Sequence, residues 1–133
     1  MIEQGIFERL RDDGPVAVLV GGRVFPVQIP ESRSDGHSAT PCIVFTLNSE
    51  ARSLTTCDAA SSVEGTYQID SVSKSYFEAK EMANAVRLCL NSFTGLMGGT
   101  PVDRVLLETA QDLIEAEPGL YRVSQTFVFY YQE

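Results

Sequence analysis

The feature that most constrains this chain is a helix-period segment that lies between two strand-period segments. From Ser75 to about Phe93 the apolar residues recur at steps of three and four, which is typical of an amphipathic α-helix. Residues 65–70 and 120–132 alternate instead, as expected of β-strands that bury one side. Because the apolar stripe of the helix must be covered by another element, these three segments predict a packed α+β domain.

The helix and the final strand supply the predicted core. Ser75 followed by Glu78 matches a capping box, which predicts where the helix begins, and Gly95 is expected to be its C-terminal cap. The apolar positions of the two segments are expected to be buried against each other. The predicted core residues are Met82, Val86, Leu90, Phe127 and Phe129.

The rest of the chain adds a short helix and further strands. Residues 2–12 form an amphipathic pattern, and residues 42–48 and 102–109 are apolar runs of strand length. Residues 49–62 are polar and form either a long hairpin arm or a disordered flap. A chain of 133 residues is expected to be one domain, spanning residues 1–133. The pattern predicts a mostly antiparallel sheet of about four to five strands, with two main helices packed on one face.

Charge and composition exclude several kinds of partner. The formal net charge is −8 and the sequence pI is about 4.6, which argues against sequence-specific binding of nucleic acid and against docking on anionic membranes. No apolar stretch approaches the ~20 residues of a membrane span, and acidic residues interrupt the N-terminus where a signal peptide would need a basic region. We therefore expect no membrane partner. The three cysteines, an odd number, indicate reduced thiols in a cytoplasm.

Two side chains invite a catalytic interpretation. His37 is the single histidine, but it lies in a proline-bounded polar stretch, and the chain has no G-x-S-x-G motif. Asp70 is an acid on a predicted strand; it is expected to be either exposed or a partner of Arg104 or Arg122. Neither pattern favours an enzyme, and we expect no catalytic residue.

Metal and cofactor sites are not indicated either. Cys42, Cys57 and Cys89 with His37 make a formal set of four ligands, but no C-x-x-C pair is present. Core packing is the expected role of Cys42 and Cys89, since cysteine is among the most buried residue types. The glycine pairs lack the spacing of a phosphate-binding loop. We therefore expect no metal and no cofactor.

Several segments together resemble a family of virion proteins. They are VAVLVGGRVFPVQIP after the first helix, TPCIVFTLN, GTYQIDSVSKSYFEAKEMANAVRLCLNSF and the final LYRVSQTFVFYY. In order and spacing they resemble the phage tail terminator family, whose members are also called tail completion or tail-to-head joining proteins. The resemblance spans nearly the whole chain, and none of the segments carries a catalytic residue.

The resemblance implies a structural role at the neck end of a virion tail. Members of the family are non-enzymatic and form homohexameric rings in long-tailed phages and gene transfer agents. The ring binds the last ring of the tail tube protein, halts tube growth and presents a surface to the head completion, or stopper, proteins. Assembly in the host cytoplasm is implied as well. One departure is Gly5, which weakens the first helix by about 1 kcal/mol relative to alanine.

In such a protein the polar loops are the expected contact arms. Residues 31–40 and 49–62 would be disordered in the free protein and ordered in the assembly. The candidate interface residues are Glu31, Arg33, Asp35, His37, Glu50, Arg52, Leu54 and Asp58. Two alternatives remain open from the residues alone: a small monomeric α+β binding or regulatory domain, and a small hydrolase that uses Asp70 or His37.

Overall fold

The computed structural model describes residues 1–27, 41–53, 62–113 and 119–132, which form three helices and six strands. The helices are α1 (Ile2–Asp12), α2 (Gly14–Val20) and α3 (Tyr76–Leu90). The strands are β1 (Val24–Pro26), β2 (Cys42–Ser53), β3 (Ser62–Ser73), β4 (Gly95–Met97), β5 (Thr100–Leu113) and β6 (Tyr121–Gln132).

All six strands lie in one sheet in the order β1-β2-β3-β6-β5-β4. β1 runs parallel to β2, and every other neighbouring pair is antiparallel. The predicted α+β class is confirmed, whereas the predicted count of four to five strands and two main helices is too low. The elements that raise the count are short: α2 has seven residues, and β1 and β4 have three each. Segments of that length hold too few residues to show a period.

Alternation along β3 and β6 divides the sheet into two faces. On one face Tyr67 lies opposite Phe127, and Val63 lies opposite Tyr131. We call this the helix face, because α1 and α3 pack against it in one apolar cluster. The other side, the outer face, carries a smaller apolar cluster formed by Cys42, Val44, Val72 and Phe25.

The core lies between α3 and the centre of the sheet. The predicted core residues Met82, Val86, Leu90, Phe127 and Phe129 are each at most 1% exposed. Burying a side chain of this size stabilises the fold by roughly 1.5–3 kcal/mol. The small side chains of Ala79 and Ala83 contact Val123. Since they let α3 lie close to the sheet, the Gln125 side-chain amide can donate a hydrogen bond to the carbonyl of Ala83 at 3.0 Å.

The start of α3 confirms half of the predicted capping box. Ser75 Oγ accepts a hydrogen bond from the Glu78 N–H at 3.4 Å. The Glu78 carboxylate does not return to the Ser75 N–H; it accepts instead from the hydroxyl of Ser73. That same hydroxyl oxygen accepts the Ser75 N–H at 3.2 Å. The hydroxyl of Ser73, the last residue of β3, therefore makes the second hydrogen bond of the cap in place of the Glu78 carboxylate.

The predicted C-terminal cap of α3 is wrong. The helix ends at Leu90, and Gly95 is the first residue of β4. Asn91 and Ser92 end the helix by bonding to β5: Asn91 Oδ1 accepts the Leu107 N–H at 3.0 Å, and the Ser92 N–H donates to the Val105 carbonyl at 2.8 Å. The left-handed residue after the helix is Ser92, with φ of 67°.

Candidate assembly surfaces

The two predicted interface residues that the structure describes lie side by side on β2. Glu50 Oε1 accepts hydrogen bonds from the Tyr131 hydroxyl at 2.8 Å and from Arg52 Nη2 at 3.4 Å. Both side chains are solvent-accessible, at 30% for Glu50 and 43% for Arg52. The other six candidates, Glu31, Arg33, Asp35, His37, Leu54 and Asp58, lie outside the described residues. Their place in an interface stays a prediction.

Two antiparallel strand pairs at the ends of the sheet each carry one largely exposed outer strand. β2 continues to Ser53 and β3 begins at Ser62, so the ends of the predicted loop 49–62 are strands, as the hairpin-arm alternative requires. β5 likewise continues to Leu113, beyond the apolar run 102–109 from which the strand was predicted. We call residues 47–53 with 62–67 the β2–β3 arm, and residues 108–113 with 121–126 the β5–β6 arm. The outer strands of the two arms are polar and largely exposed, so their composition did not indicate a strand, whereas the inner strands bury Val63, Tyr67 and Val123.

At two places on the helix face, a tyrosine hydroxyl donates a hydrogen bond to a glutamate carboxylate. The Tyr67 hydroxyl donates to Glu3 Oε1 at 3.0 Å, and the Tyr131 hydroxyl donates to Glu50. Burial raises the pKa of Tyr67 and of Tyr131 well above the usual range, and the neighbouring carboxylates raise each further. Both phenols therefore remain neutral donors that fix the position of a surface carboxylate. Only the apolar alternation of these tyrosines was visible in the sequence.

A three-residue cluster ties α3 to the β5–β6 arm. Lys80 Nζ lies 2.7 Å from Asp112 Oδ1, and the Tyr76 hydroxyl donates to Asp112 Oδ2 at 2.9 Å. The hydrogen bond from Lys80 holds the pKa of Asp112 below its usual range, and the same contact raises the pKa of Lys80. Because these side chains are about half exposed, the cluster positions the arm more than it stabilises the fold.

Asp70, the one acid with a possible catalytic interpretation, belongs to a buried ion pair. Its side chain is 6% exposed, and Oδ2 lies 2.6 Å from Arg122 Nη1. The Gln68 side-chain amide donates to both carboxylate oxygens at 3.1 Å. The alternative that paired Asp70 with Arg122 is thus correct; Arg104 lies over the Tyr130 ring at 4.5 Å. The Asp70 carboxylate is thus committed to contacts on the outer face of the sheet. It is not available as the catalytic acid of a hydrolase.

The described cysteines have the packing role that was predicted. Cys42 and Cys89 are buried, and burial raises the pKa of each thiol to about 11. Thiols of this kind are weak nucleophiles at neutral pH. In the ranges that the structure covers, no group of three His, Cys, Asp or Glu side chains could hold a metal ion. No helix in those ranges is long and apolar enough to cross a membrane.

Two clefts flank α1. The first, of about 420 Å³, is mostly apolar and runs between α1 and the exposed end of β2; its walls include Met1, Phe7, Val27, Phe45 and Leu47. The second, of about 400 Å³, is mostly polar and lies between α1 and the β4–β5 turn, with Glu8, Arg9, Asp12 and Asp13 among its lining residues. Neither cleft brings together an acid, a base and a nucleophile, so they suit contact with a partner better than chemistry.

Comparison with known proteins identifies the family of this chain. The family model for tail completion protein gp17 matches residues 4–132.

This chain belongs to the gp17 family of tail completion proteins.

The gp17 family assignment makes the protein a structural component of a phage tail and not an enzyme. A chain in the solved virion of a native gene transfer agent (GTA) particle has the same fold, with a TM-score of 0.71 and 16% sequence identity. The alignment covers 96% of this chain and 92% of that chain. The comparison with curated proteins gives no significant match. As a tail completion protein the chain works in contact with other virion proteins.

Proposed function

We propose that this protein forms a homohexameric ring at the head-proximal end of the tail tube. The ring stops polymerisation of the tube protein and joins the tail to the head completion proteins. The match of the gp17 family model to residues 4–132 is the observation that carries the proposal. The protein would assemble in the host cytoplasm and remain in the neck of the finished virion.

The charge and the exposed surfaces support such a role. A net charge of −8 keeps free copies apart, so association requires specific contacts. Exposed apolar side chains are available for such contacts. Phe77 and Leu88 of α3 are 77% and 68% exposed, and Leu96 of β4 is 71% exposed. A ring uses at least four surfaces of each copy, two toward its neighbours, one toward the tube and one toward the head.

Electron microscopy of the purified protein, with and without isolated tail tubes, tests the proposal. We expect six-fold rings, either free at high protein concentration or bound at one end of each tube. Mass measurement on the same samples gives the number of copies. A protein that is monomeric in both settings and leaves tube growth unchanged would disprove the ring.

The contact with the tube can be separated from the contact between copies. Leu88→Glu changes an exposed position on α3 and is expected to leave the free energy of unfolding within about 0.5 kcal/mol of wild type. Leu96→Glu is the matched change at an exposed leucine of β4, an edge strand of the sheet. A variant that still forms rings but no longer caps tubes identifies the tube-facing side.

A further inference from the structure

We propose that neighbouring copies join by β-strand addition, with the open edge of β2 in one copy pairing with the open edge of β5 in the next. The pairing is antiparallel, and it places Glu50 opposite Ala110 of the neighbouring copy. This inference rests on the proposed ring and specifies the contact that would build it.

The open edge of β2 lies in the β2–β3 arm. β1 pairs with β2 only from Ile43 to Phe45, and among the described residues no strand pairs with that edge beyond this point. The Val27 N–H donates to the Phe45 carbonyl at 2.9 Å, so Phe45 directs its backbone groups away from β3. A bulge between Leu47 and Ser49 shifts the alternation by one residue. Glu50 therefore directs its backbone N–H and C=O outward.

The open edge of β5 lies in the β5–β6 arm. β4 pairs with β5 only from Thr100 to Val102, and the end of α3 bonds to Val105 and Leu107. Beyond Leu107 no described strand pairs with this edge, and residues 108–112 are exposed. A bulge between Leu107 and Thr109 again shifts the alternation, so Ala110 directs its backbone groups outward.

The strand directions favour a second copy as the occupant of each edge. β2, β3, β6 and β5 are antiparallel in succession, so β2 and β5 at the two sides run in opposite directions. When the sheet continues into a neighbour of the same orientation, β5 meets β2 as an antiparallel pair. Unpaired strand edges are templates for pairing of this kind. Because the two edges differ, the contact is head-to-tail and generates a ring or a helix, not a closed dimer.

The two open edges lie at opposite ends of the sheet, which gives the pairing a stagger. Ala51 is level with Tyr130 of β6, and Thr109 is level with Thr126, four residues away. Placing Ala51 opposite Thr109 of the next copy shifts each copy by about 13 Å along the strands, at about 3.3 Å per residue. Each copy adds four strand spacings of about 4.8 Å, or about 19 Å. The resulting tilt is about 35°, within the range of roughly 35–45° for closed barrels.

The charged side chains agree with this register. It places Arg52 opposite Glu108 of the neighbour, an opposite-charge pair, and Glu50 opposite the small Ala110. A shift of two residues would place Glu50 opposite Asp112, and like charges directly opposite each other destabilise a strand pair. A shift of four residues in the same direction would raise the tilt to about 54°, which is steeper than the strands of closed barrels.

Cysteine pairs test the contact directly. In the proposed register Ala51 and Thr109 are a pair without backbone hydrogen bonds between them, whose Cα atoms would lie about 4.5 Å apart. In a Cys57→Ser background, a protein carrying Ala51→Cys and Thr109→Cys is expected to form disulfide-linked ladders up to the full ring. The matched protein with Ala51→Cys and Gln111→Cys is expected to stay unlinked, because diagonal positions are about 7–8 Å apart. Equal linking in both proteins, or in neither, would overturn the register.

A charge exchange tests the same contact without cysteines. Arg52→Glu is expected to weaken ring formation at least tenfold, and Glu108→Arg in the same chain is expected to restore it. Each single variant should melt within a few degrees of wild type, since both side chains are exposed. Rings that form normally in the Arg52→Glu protein, with no cross-link in the cysteine experiment, would refute strand addition and leave the ring itself standing. A wild-type protein that forms no ring under any condition would refute both.

Discussion

Gly5 of α1 and Gly98 of the β4–β5 turn lie in direct backbone contact. A Cβ at position 5 would lie 2.5 Å from the carbonyl carbon of Met97, and one at position 98 would lie 2.6 Å from the Gly5 nitrogen. Gly98 also has φ of 58°, in the left-handed region. From the sequence, Gly5 was expected only to lower the stability of α1. In the fold it is the residue that allows α1 to dock on the edge of the sheet.

We expect Gly5→Ala to lower the free energy of unfolding by about 1–3 kcal/mol, the usual cost of overpacking. Alanine would gain up to about 1 kcal/mol in helix propensity, but the clash is with backbone that cannot rotate away. Chemical denaturation measures the difference. Gly14→Ala is the matched control, since a Cβ there meets nothing within 4 Å. If both variants are equally stable, the contact between α1 and the turn is looser than described.

The ion pair of Asp70 and Arg122 should be far more important for stability than that of Asp112 and Lys80. Asp70→Asn removes the negative charge that faces Arg122 at a largely buried site, and we expect a loss of about 3 kcal/mol. Asp112→Asn removes an exposed pair and should cost less than about 1 kcal/mol. Urea denaturation at neutral pH compares the two. Similar losses would contradict the burial difference.

Val86→Asp should unfold the domain, whereas Leu88→Asp should not. Val86 is 0% exposed, and an unpaired charge there costs several kcal/mol of a total stability of about 5–15 kcal/mol. Leu88, two residues along the same helix, is 68% exposed and should tolerate the charge within about 0.5 kcal/mol. Circular dichroism of the two proteins checks the result. An unchanged melting temperature for Val86→Asp would contradict the helix face assigned here.

Stability should fall at alkaline pH because of Tyr67 and Tyr131. Burial raises the pKa of both phenols in the folded protein above the ordinary value of 10.0. Above that value the unfolded chain loses these protons and the folded chain keeps them, so the stabilisation present below pH 10 is lost as the pH rises. Melting temperatures measured across this range should decline steeply. A protein with Tyr67→Phe and Tyr131→Phe should show a shallower decline; an equal slope would assign the effect to other groups.

Periodic and local signals were sufficient for part of the fold. The stripe of α3, its start at Ser75 and the alternation of β6 were each predicted from neighbouring residues in the sequence. The end of α3 was mispredicted because Asn91 bonds to β5, sixteen residues away, and no local pattern contains that contact. In the arms, the sequence predicted either a hairpin arm or a disordered flap at residues 49–53, and the strand of β5 was predicted to end at residue 109. These residues pair through backbone hydrogen bonds. Because any side chain can accompany such bonds, a polar sequence carries no pattern that predicts the pairing.

The contacts made by the candidate interface residues and by Asp70 could be predicted even less completely. Glu50 and Arg52 were identified from composition, but their place on a strand and the contact of Glu50 with Tyr131 needed the fold. The pairing of Asp70 with Arg122 was one of several alternatives, and only the register of β3 and β6 decided between them. Side chains that meet across distant strands depend on register, and register is set by the whole sheet.

The way α3 ends also limits how strongly two copies could hold each other. Asn91 and Ser92 occupy the backbone groups of Leu107 and Val105, so an added strand would find only the last few residues of β5 available. A contact of so few hydrogen bonds is weak for a single pair of molecules, and it becomes durable only when a ring closes and every copy is held on two sides. The fold would thus keep the protein dispersed until a template collects several copies in one place.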